Sequence, residues 1–207
     1  MGKPYKSFTS TLTGVDVMQT QVIEGNELKL MGIAWLIIAF LFSGMNPTIF
    51  LLMLIPVGVV FVGKWLIQKY VAKLLGYNTQ FVLYREGIIM SVLVTILSFG
   101  HFVLLTIGNL MVLGKTGWGI TNQVRDEAMI ALAGIGYALA LGFLGLFLGA
   151  SVCGNFWFML SKVGFFIAFW SALPVFGMEG KKVFEWNKIV WAVAMLASSI
   201  GMFSLYY

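Results

Sequence analysis

The sequence predicts an all-α integral membrane protein with about five transmembrane helices. Of its 207 residues, 60% are hydrophobic and only 10% are charged, whereas soluble domains carry about 25% charged residues. The mean hydropathy is +0.94. A helix needs about 20 residues to cross a bilayer. The chain has six apolar runs, which cover 28–43, 49–75, 87–114, 127–151, 156–173 and 188–206.

The polar N-terminal stretch, residues 1–26, predicts a surface segment ahead of a single polytopic membrane domain that covers 27–207. Because the first apolar run begins only near Leu30, this end lacks the pattern of a signal peptide. The first run ends at Asn46-Pro47, which is typical of a turn. The lysines behind the net charge of +5 are scattered, so the sequence does not predict nucleic-acid binding.

The third run (87–114) decides the topology. If all six runs cross, the two sides carry seven and five basic residues, a poor fit to the positive-inside rule. If this run folds back as a re-entrant hairpin around Ser98–His101, twelve of the 13 basic residues share one face and only Lys162 stays inside a span. We therefore expect about five spans plus the hairpin, with six spans as the alternative. The N-terminus and basic loops are expected on the cytoplasmic side of the cell membrane.

Near the end of the second run, Lys64 and Gln68 are four residues apart and share a helical face. The stretch KWLIQKYVAKLLGY (64–77) resembles the helical motif of archaeal-type site-2 proteases, which are intramembrane zinc metalloproteases. That motif runs HE-x-x-H-K-Y-x-A and is followed by a glycine. Here Lys64, Trp65 and Gln68 stand in place of His, Glu and His, while Lys69-Tyr70, Ala72 and Gly76 match.

Further stretches resemble the same family in order along the chain, over about residues 27–195. Residues 27–40 resemble the helix before the motif, and the third run resembles the family's re-entrant segment. Residues 131–142 resemble AGP-x-x-N, with Ile135 and Ala138 replacing proline and asparagine. Residues 171–191 resemble the segment that supplies the third metal ligand, with Ser171 in place of its asparagine, Gly177 in place of its second proline and Glu179 in place of its aspartate.

The resemblance implies a site-2-protease-like core around a relic active site, which comprises Lys64, Trp65, Gln68 and Glu179. A catalytic zinc needs three protein ligands and an open position for water. Lysine offers an ammonium, glutamine a weak neutral carbonyl, and tryptophan cannot act as the base. The single histidine, His101, is expected near the hairpin tip and the single cysteine, Cys153, on the opposite face. We therefore expect no metal, no other cofactor and no catalytic residue.

Two features remain open to two interpretations each. Lys64 can extend to the lipid headgroups, as cationic side chains do near helix ends, or it can pair with Glu179 and so replace the metal cross-link. The glycines of the fourth run allow close helix approach, within the protein or against a helix of another protein. These glycines are Gly134, Gly136, Gly142, Gly145 and Gly149.

The function that follows is that of a pseudoprotease: a membrane protein that binds or scaffolds transmembrane segments of partner proteins without cleaving them. The alternative is a structural accessory subunit of a larger membrane complex. A transporter or channel is a weaker hypothesis, because the apolar runs contain few polar groups. An active protease is disfavoured by the missing ligands. The expected partners are the lipid bilayer and transmembrane helices of another protein.

Overall fold

The computed structural model describes residues 22–23, 25–100, 103–115, 123–152, 155–175 and 178–205. Within these residues the chain forms seven helices and three strands. The helices are α1 (Glu27–Phe42), α2 (Pro47–Leu74), α3 (Arg85–Leu97), α4 (Gln123–Val152), α5 (Asn155–Ala172), α6 (Glu179–Trp186) and α7 (Lys188–Ser204). The strands are β1 (Val22–Ile23), β2 (Tyr77–Tyr84) and β3 (Gly108–Lys115).

Five of the six apolar runs correspond to helices, namely α1, α2, α4, α5 and α7. The predicted turn at Asn46-Pro47 is the start of α2, where the Asn46 side chain caps the helix and proline occupies its first position. Among the described residues, α2 (Pro47–Leu74) and the Gln123–Ala150 part of α4 are long and apolar enough to cross a membrane. The chain is thus mostly helical, with two candidate spans by length and composition.

The prediction of an all-α fold was wrong around the third run, where the chain forms a strand, a helix and a second strand. β2 and β3 pair antiparallel, with Tyr77 opposite Lys115 and Leu83 opposite Gly108. β1 adds to the other edge of β2, so the sheet order is β1-β2-β3. Because β2 and β3 pair antiparallel, the chain enters this strand–helix–strand unit at Tyr77 and leaves it at Lys115, at the same end of the unit.

The tip of this unit lies against the turn between α1 and α2. Phe99 and Gly100 adopt positive φ angles of 51° and 77°, and Gly100 packs on the backbone of Gly44. Close packing continues below the tip, where Gly87 of α3 leaves no room for a Cβ beside the Thr106 carbonyl. The unit therefore reaches from the C-terminal end of α2, where β2 begins, to the C-terminal end of α1, where Gly44 lies. His101, which we placed near the tip, lies outside the described residues.

Helix α4 is central, and its glycines allow the close packing. A Cβ on Gly145 would meet the backbone nitrogen of Ser161 in α5 at 2.7 Å, while Gly142 and Gly149 also face α5. Gly134 faces Gln68 of α2. Gly136 differs, because a Cβ there would meet no atom within 4 Å. Four of the five glycines thus face other parts of the same chain. Cys153, which follows this helix, lies outside the described residues.

Two helices bury small or hydroxyl-bearing residues and expose apolar ones. In α3, Ser91 and Thr95 are fully buried, whereas the exposed apolar residues are Ile89, Met90, Leu93, Ile96 and Leu97. In α7, Ser198 and Gly201 are buried, whereas Ile189, Val193, Leu196, Ile200 and Phe203 are exposed. A helix on a soluble protein turns its apolar stripe inward. Exposed apolar faces of this extent indicate contact with lipid or another protein.

Candidate functional site

The side chain of Lys64 connects α2 to two other elements. Its ammonium donates to Glu179 Oε1 at 2.9 Å and to Ser171 Oγ at 2.8 Å. Ser171 belongs to the last turn of α5, and Glu179 is the first residue of α6. The Lys64 and Glu179 side chains are 13% and 6% exposed. Lys64, Ser171 and Glu179, which the sequence assigned to distant motif positions, therefore lie together as an ion pair between a partly buried lysine and a buried glutamate, with a hydroxyl partner.

Gln68 lies one turn further along α2 and lines the same site. It is 3% exposed and packs against Gly134 of α4, where a larger side chain would collide with its amide. Gln68, Lys64 and Glu179 border a cavity of about 20 Å³. The other residues that line this cavity are Phe61, Trp65, Phe81, Gly108, Asn109 and Leu110. Strands β2 and β3 thus form one wall of the site.

Trp65 contributes its ring to this cavity, but its indole N–H donates to Glu27 Oε1 at 3.2 Å. Glu27 also accepts from Lys69 Nζ at 2.7 Å and from the backbone N–H of Phe81 at 3.2 Å. This carboxylate therefore ties together α1, α2 and β2. Sequence reasoning missed its role, because a glutamate in the first turn of a helix is ordinarily explained by the helix dipole.

Only one of the two carboxylate oxygens of Glu179 has a hydrogen-bond partner among the described residues. Its Oε2 atom is buried and has no hydrogen-bond partner among the described residues. Its position in the first turn of α6 is favourable for a carboxylate, because the positive end of the helix dipole lies there. Tyr84, at the end of β2, responds to the same charge: burial first, and then the nearby Glu179 carboxylate, raise the pKa of its hydroxyl. Helix α6 begins at Glu179, so the backbone of its first turn holds this carboxylate at the site.

The donor set does not fit a zinc ion. Zinc takes thiolate, imidazole and carboxylate ligands. The described residues contain no group of three His, Cys, Asp or Glu side chains that could hold a metal. At the relic site only Glu179 is an ordinary zinc ligand, since an ammonium has no lone pair to donate and a glutamine amide is neutral. The local chemistry is that of a lysine–glutamate pair.

The contact between Lys64 and Ser171 has the composition of a serine–lysine nucleophilic pair. Such a pair needs a lysine that can accept the serine proton. Here the Lys64 nitrogen contacts the Glu179 carboxylate at 2.9 Å as well as the Ser171 hydroxyl at 2.8 Å, so the two oxygens share it. The arrangement cross-links three elements, α2, α5 and α6.

Comparison with known proteins gives one informative relative. A protein of Methanocaldococcus jannaschii, named "Putative zinc metalloprotease", is 30% identical over 174 residues, which cover 79% of this chain and 86% of the relative. No family model matches the chain, and no solved structure matches it. Identity at this level over most of both chains indicates a common fold.

Proposed function

Because the chain belongs to the site-2-protease-like family of membrane proteins, we propose that it is a member without proteolytic activity that binds transmembrane segments of partner proteins. The observation that carries this proposal is the Lys64–Glu179 ion pair, which stands where the resemblance places two zinc ligands. The relative's name refers to zinc. In this chain Lys64, Trp65 and Gln68 occupy the motif positions. Lys64 donates to Glu179 and Ser171, and Trp65 donates to Glu27. Gln68 packs against Gly134.

The sheet next to the relic site supports the binding of a partner segment. Among the described residues β3 pairs with β2 alone, so its other edge has backbone groups without a strand partner. Met111 and Leu113 on β3 are 46% and 55% exposed. An extended peptide can add to such an edge through backbone hydrogen bonds. Because β3 also lines the cavity at the relic site, a segment bound there would lie beside Lys64 and Glu179.

We further propose five spans plus the strand–helix–strand unit as a re-entrant hairpin, with the basic end in the cytoplasm. The exposed apolar faces of α3 and α7 support their immersion in hydrocarbon. Seven of the eleven described lysines and arginines belong to α1, α2, α4 and α6, and these helices meet at one end of the fold. Three contacts bring these elements together: Glu27 with Lys69, Tyr77 with Asp126, and Glu127 with Lys182. One basic end agrees with the positive-inside rule.

A second candidate is a structural accessory subunit of a larger membrane complex. It is favoured by the spacing of the exposed apolar residues on α7, which alternates between four and three. These residues are Ile189, Val193, Leu196, Ile200 and Phe203. A 3.5-residue repeat of this kind is the spacing at which one helix packs along another in a coiled coil. In this case the partner would contact α7 rather than β3.

Site-specific photocrosslinking in native membranes separates the two candidates. A photoreactive phenylalanine is placed at Met111, at Leu196 or, as a control, at Leu52, which is exposed on α2. Capture of one membrane protein from Met111 supports segment binding at the relic site, and capture from Leu196 supports the accessory subunit. Capture that is equal at all three positions would contradict both. Metal analysis of the purified protein completes the test, since about one zinc per chain together with cleavage of a membrane substrate would overturn the proposed lack of activity.

A further inference from the structure

Polar groups at the relic site are only partly matched by protein partners. The Lys64 ammonium has three N–H donors, and two of them are used, on Ser171 and on Glu179 Oε1. Glu179 Oε2 is buried and accepts no hydrogen bond from the described residues. The Gln68 side chain is also buried, and its amide forms no hydrogen bond with the part of the chain that the structure describes. A buried polar group without a partner is costly.

All three side chains border the same cavity of about 20 Å³. A buried water needs roughly 10–15 Å³ and two to four polar partners. The cavity meets the first requirement for one molecule. Lys64, Gln68 and Glu179 meet the second, because between them they offer an ammonium donor, an amide and a carboxylate acceptor. Phe61, Phe81 and Leu110 line its apolar side.

We propose that this cavity is a binding site for a single water molecule that bridges Glu179 Oε2 to the Gln68 amide. The water donates to the carboxylate and accepts the remaining Lys64 N–H. Other occupants fit less well. A metal cation would face the Lys64 ammonium, and an apolar molecule would leave the carboxylate oxygen without a partner. Bridging water is nearly as good as a direct hydrogen bond in enthalpy.

The water gives the Gln68 amide a hydrogen-bonding role in addition to its packing against Gly134. It extends the cross-link from Lys64, Ser171 and Glu179 to a second turn of α2, and it completes the hydrogen bonding of the buried carboxylate. The site is thus a hydrated charge cluster. This inference does not depend on whether the protein binds a partner segment, since it concerns the resting site.

The test is a structure of the protein crystallised from a lipid phase, at a resolution that shows ordered water. The expected result is one water within hydrogen-bonding distance of Glu179 Oε2 and of the Gln68 amide. A Gln68 amide that donates directly to Glu179, or a site without an ordered water, would overturn the proposal.

A pair of variants provides an independent readout. Gln68→Met keeps the length of the side chain but removes a partner of the water, so we expect a lower Tm than that of the wild type. The matched control is Gln80→Met on β2, where the glutamine is partly exposed and we expect little change. If Gln68→Met leaves Tm unchanged or raises it, the amide was an unpaired buried group whose removal is harmless, and the bridging water is refuted.

Discussion

Removing the charge of Lys64 should destabilise the protein strongly, and removing Glu179 as well should reverse most of the loss. Lys64→Met leaves the Glu179 carboxylate, whose side chain is 6% exposed, without its counter-ion at 2.9 Å. Breaking a buried ion pair by deleting one partner costs about 3–5 kcal/mol. Replacing both partners by apolar residues is often neutral or stabilising. We therefore expect the double variant Lys64→Met/Glu179→Leu to unfold near the wild-type temperature.

The expected shift in Tm follows from the size of the chain. Domains of 150–250 residues lose roughly 2–4 °C per kcal/mol, so Lys64→Met in this chain of 207 residues should lower Tm by about 6–20 °C. The assay is thermal unfolding in a mild detergent, followed by the fluorescence of the protein's seven tryptophans. Tm should also be insensitive to chelators, because the cross-link contains no metal.

The matched control is Lys181→Met. Lys181 forms an ion pair with Glu185 at 3.6 Å, with side chains 38% and 52% exposed, and exposed pairs contribute at most about 1 kcal/mol. Two results would refute the reasoning. One is a Lys64→Met variant that unfolds at the temperature of the Lys181→Met variant. The other is a double variant that loses as much as the sum of its single changes, because additive losses mean that the two residues are not coupled.

Two further predictions concern the metal site and the glycine helix. The double variant Lys64→His/Gln68→His places two imidazoles beside the Glu179 carboxylate. Two imidazoles and a carboxylate are a common zinc ligand set, so we expect about one zinc per purified chain. A zinc content equal to that of the wild type would contradict the inferred geometry. Gly145→Ala should lower Tm, because the new Cβ meets the backbone of α5. Gly136→Ala should leave Tm unchanged or raise it, because its new Cβ meets no atom within 4 Å. Equal changes in Tm for the two variants would contradict the described packing of α4.

Most of the helices could be predicted from the sequence, because long apolar runs bounded by Asn, Pro and Gly follow directly from the physical requirements of a membrane helix. Hydrocarbon requires satisfied backbone hydrogen bonds over a fixed length, and capping residues such as Asn46 mark where each helix starts. The strands were not predictable in this way. A continuous apolar run such as 87–114 does not distinguish a buried helix from a buried strand, and the pairing of Tyr77 with Lys115 depends on contacts distant in sequence.

The residues of the candidate site also divide into those that the sequence predicts and those that only the folded chain brings together. Lys64 and Glu179 could be proposed as partners because a charge near the membrane interior needs a counter-ion and because the motif positions place both near one site. Glu27 could not be found, since its three donors come from α2 and β2 and only the folded chain brings them together. The role of Asn109 and its neighbours on β3 in lining the cavity was hidden for the same reason.

The ion pair explains how a fold of this kind can hold its shape with a different set of residues. In a metal site, ligands on separate helices are cross-linked through the ion, and loss of the ligands would leave those helices tied only by packing. Here the Lys64 ammonium supplies the positive charge from within the chain, Glu179 still supplies a carboxylate, and Ser171 adds a third attachment. The same elements, α2, α5 and α6, are therefore joined at one point. Since this link is made by side chains of the chain itself, we expect the site beside β3 to keep its arrangement without a bound metal.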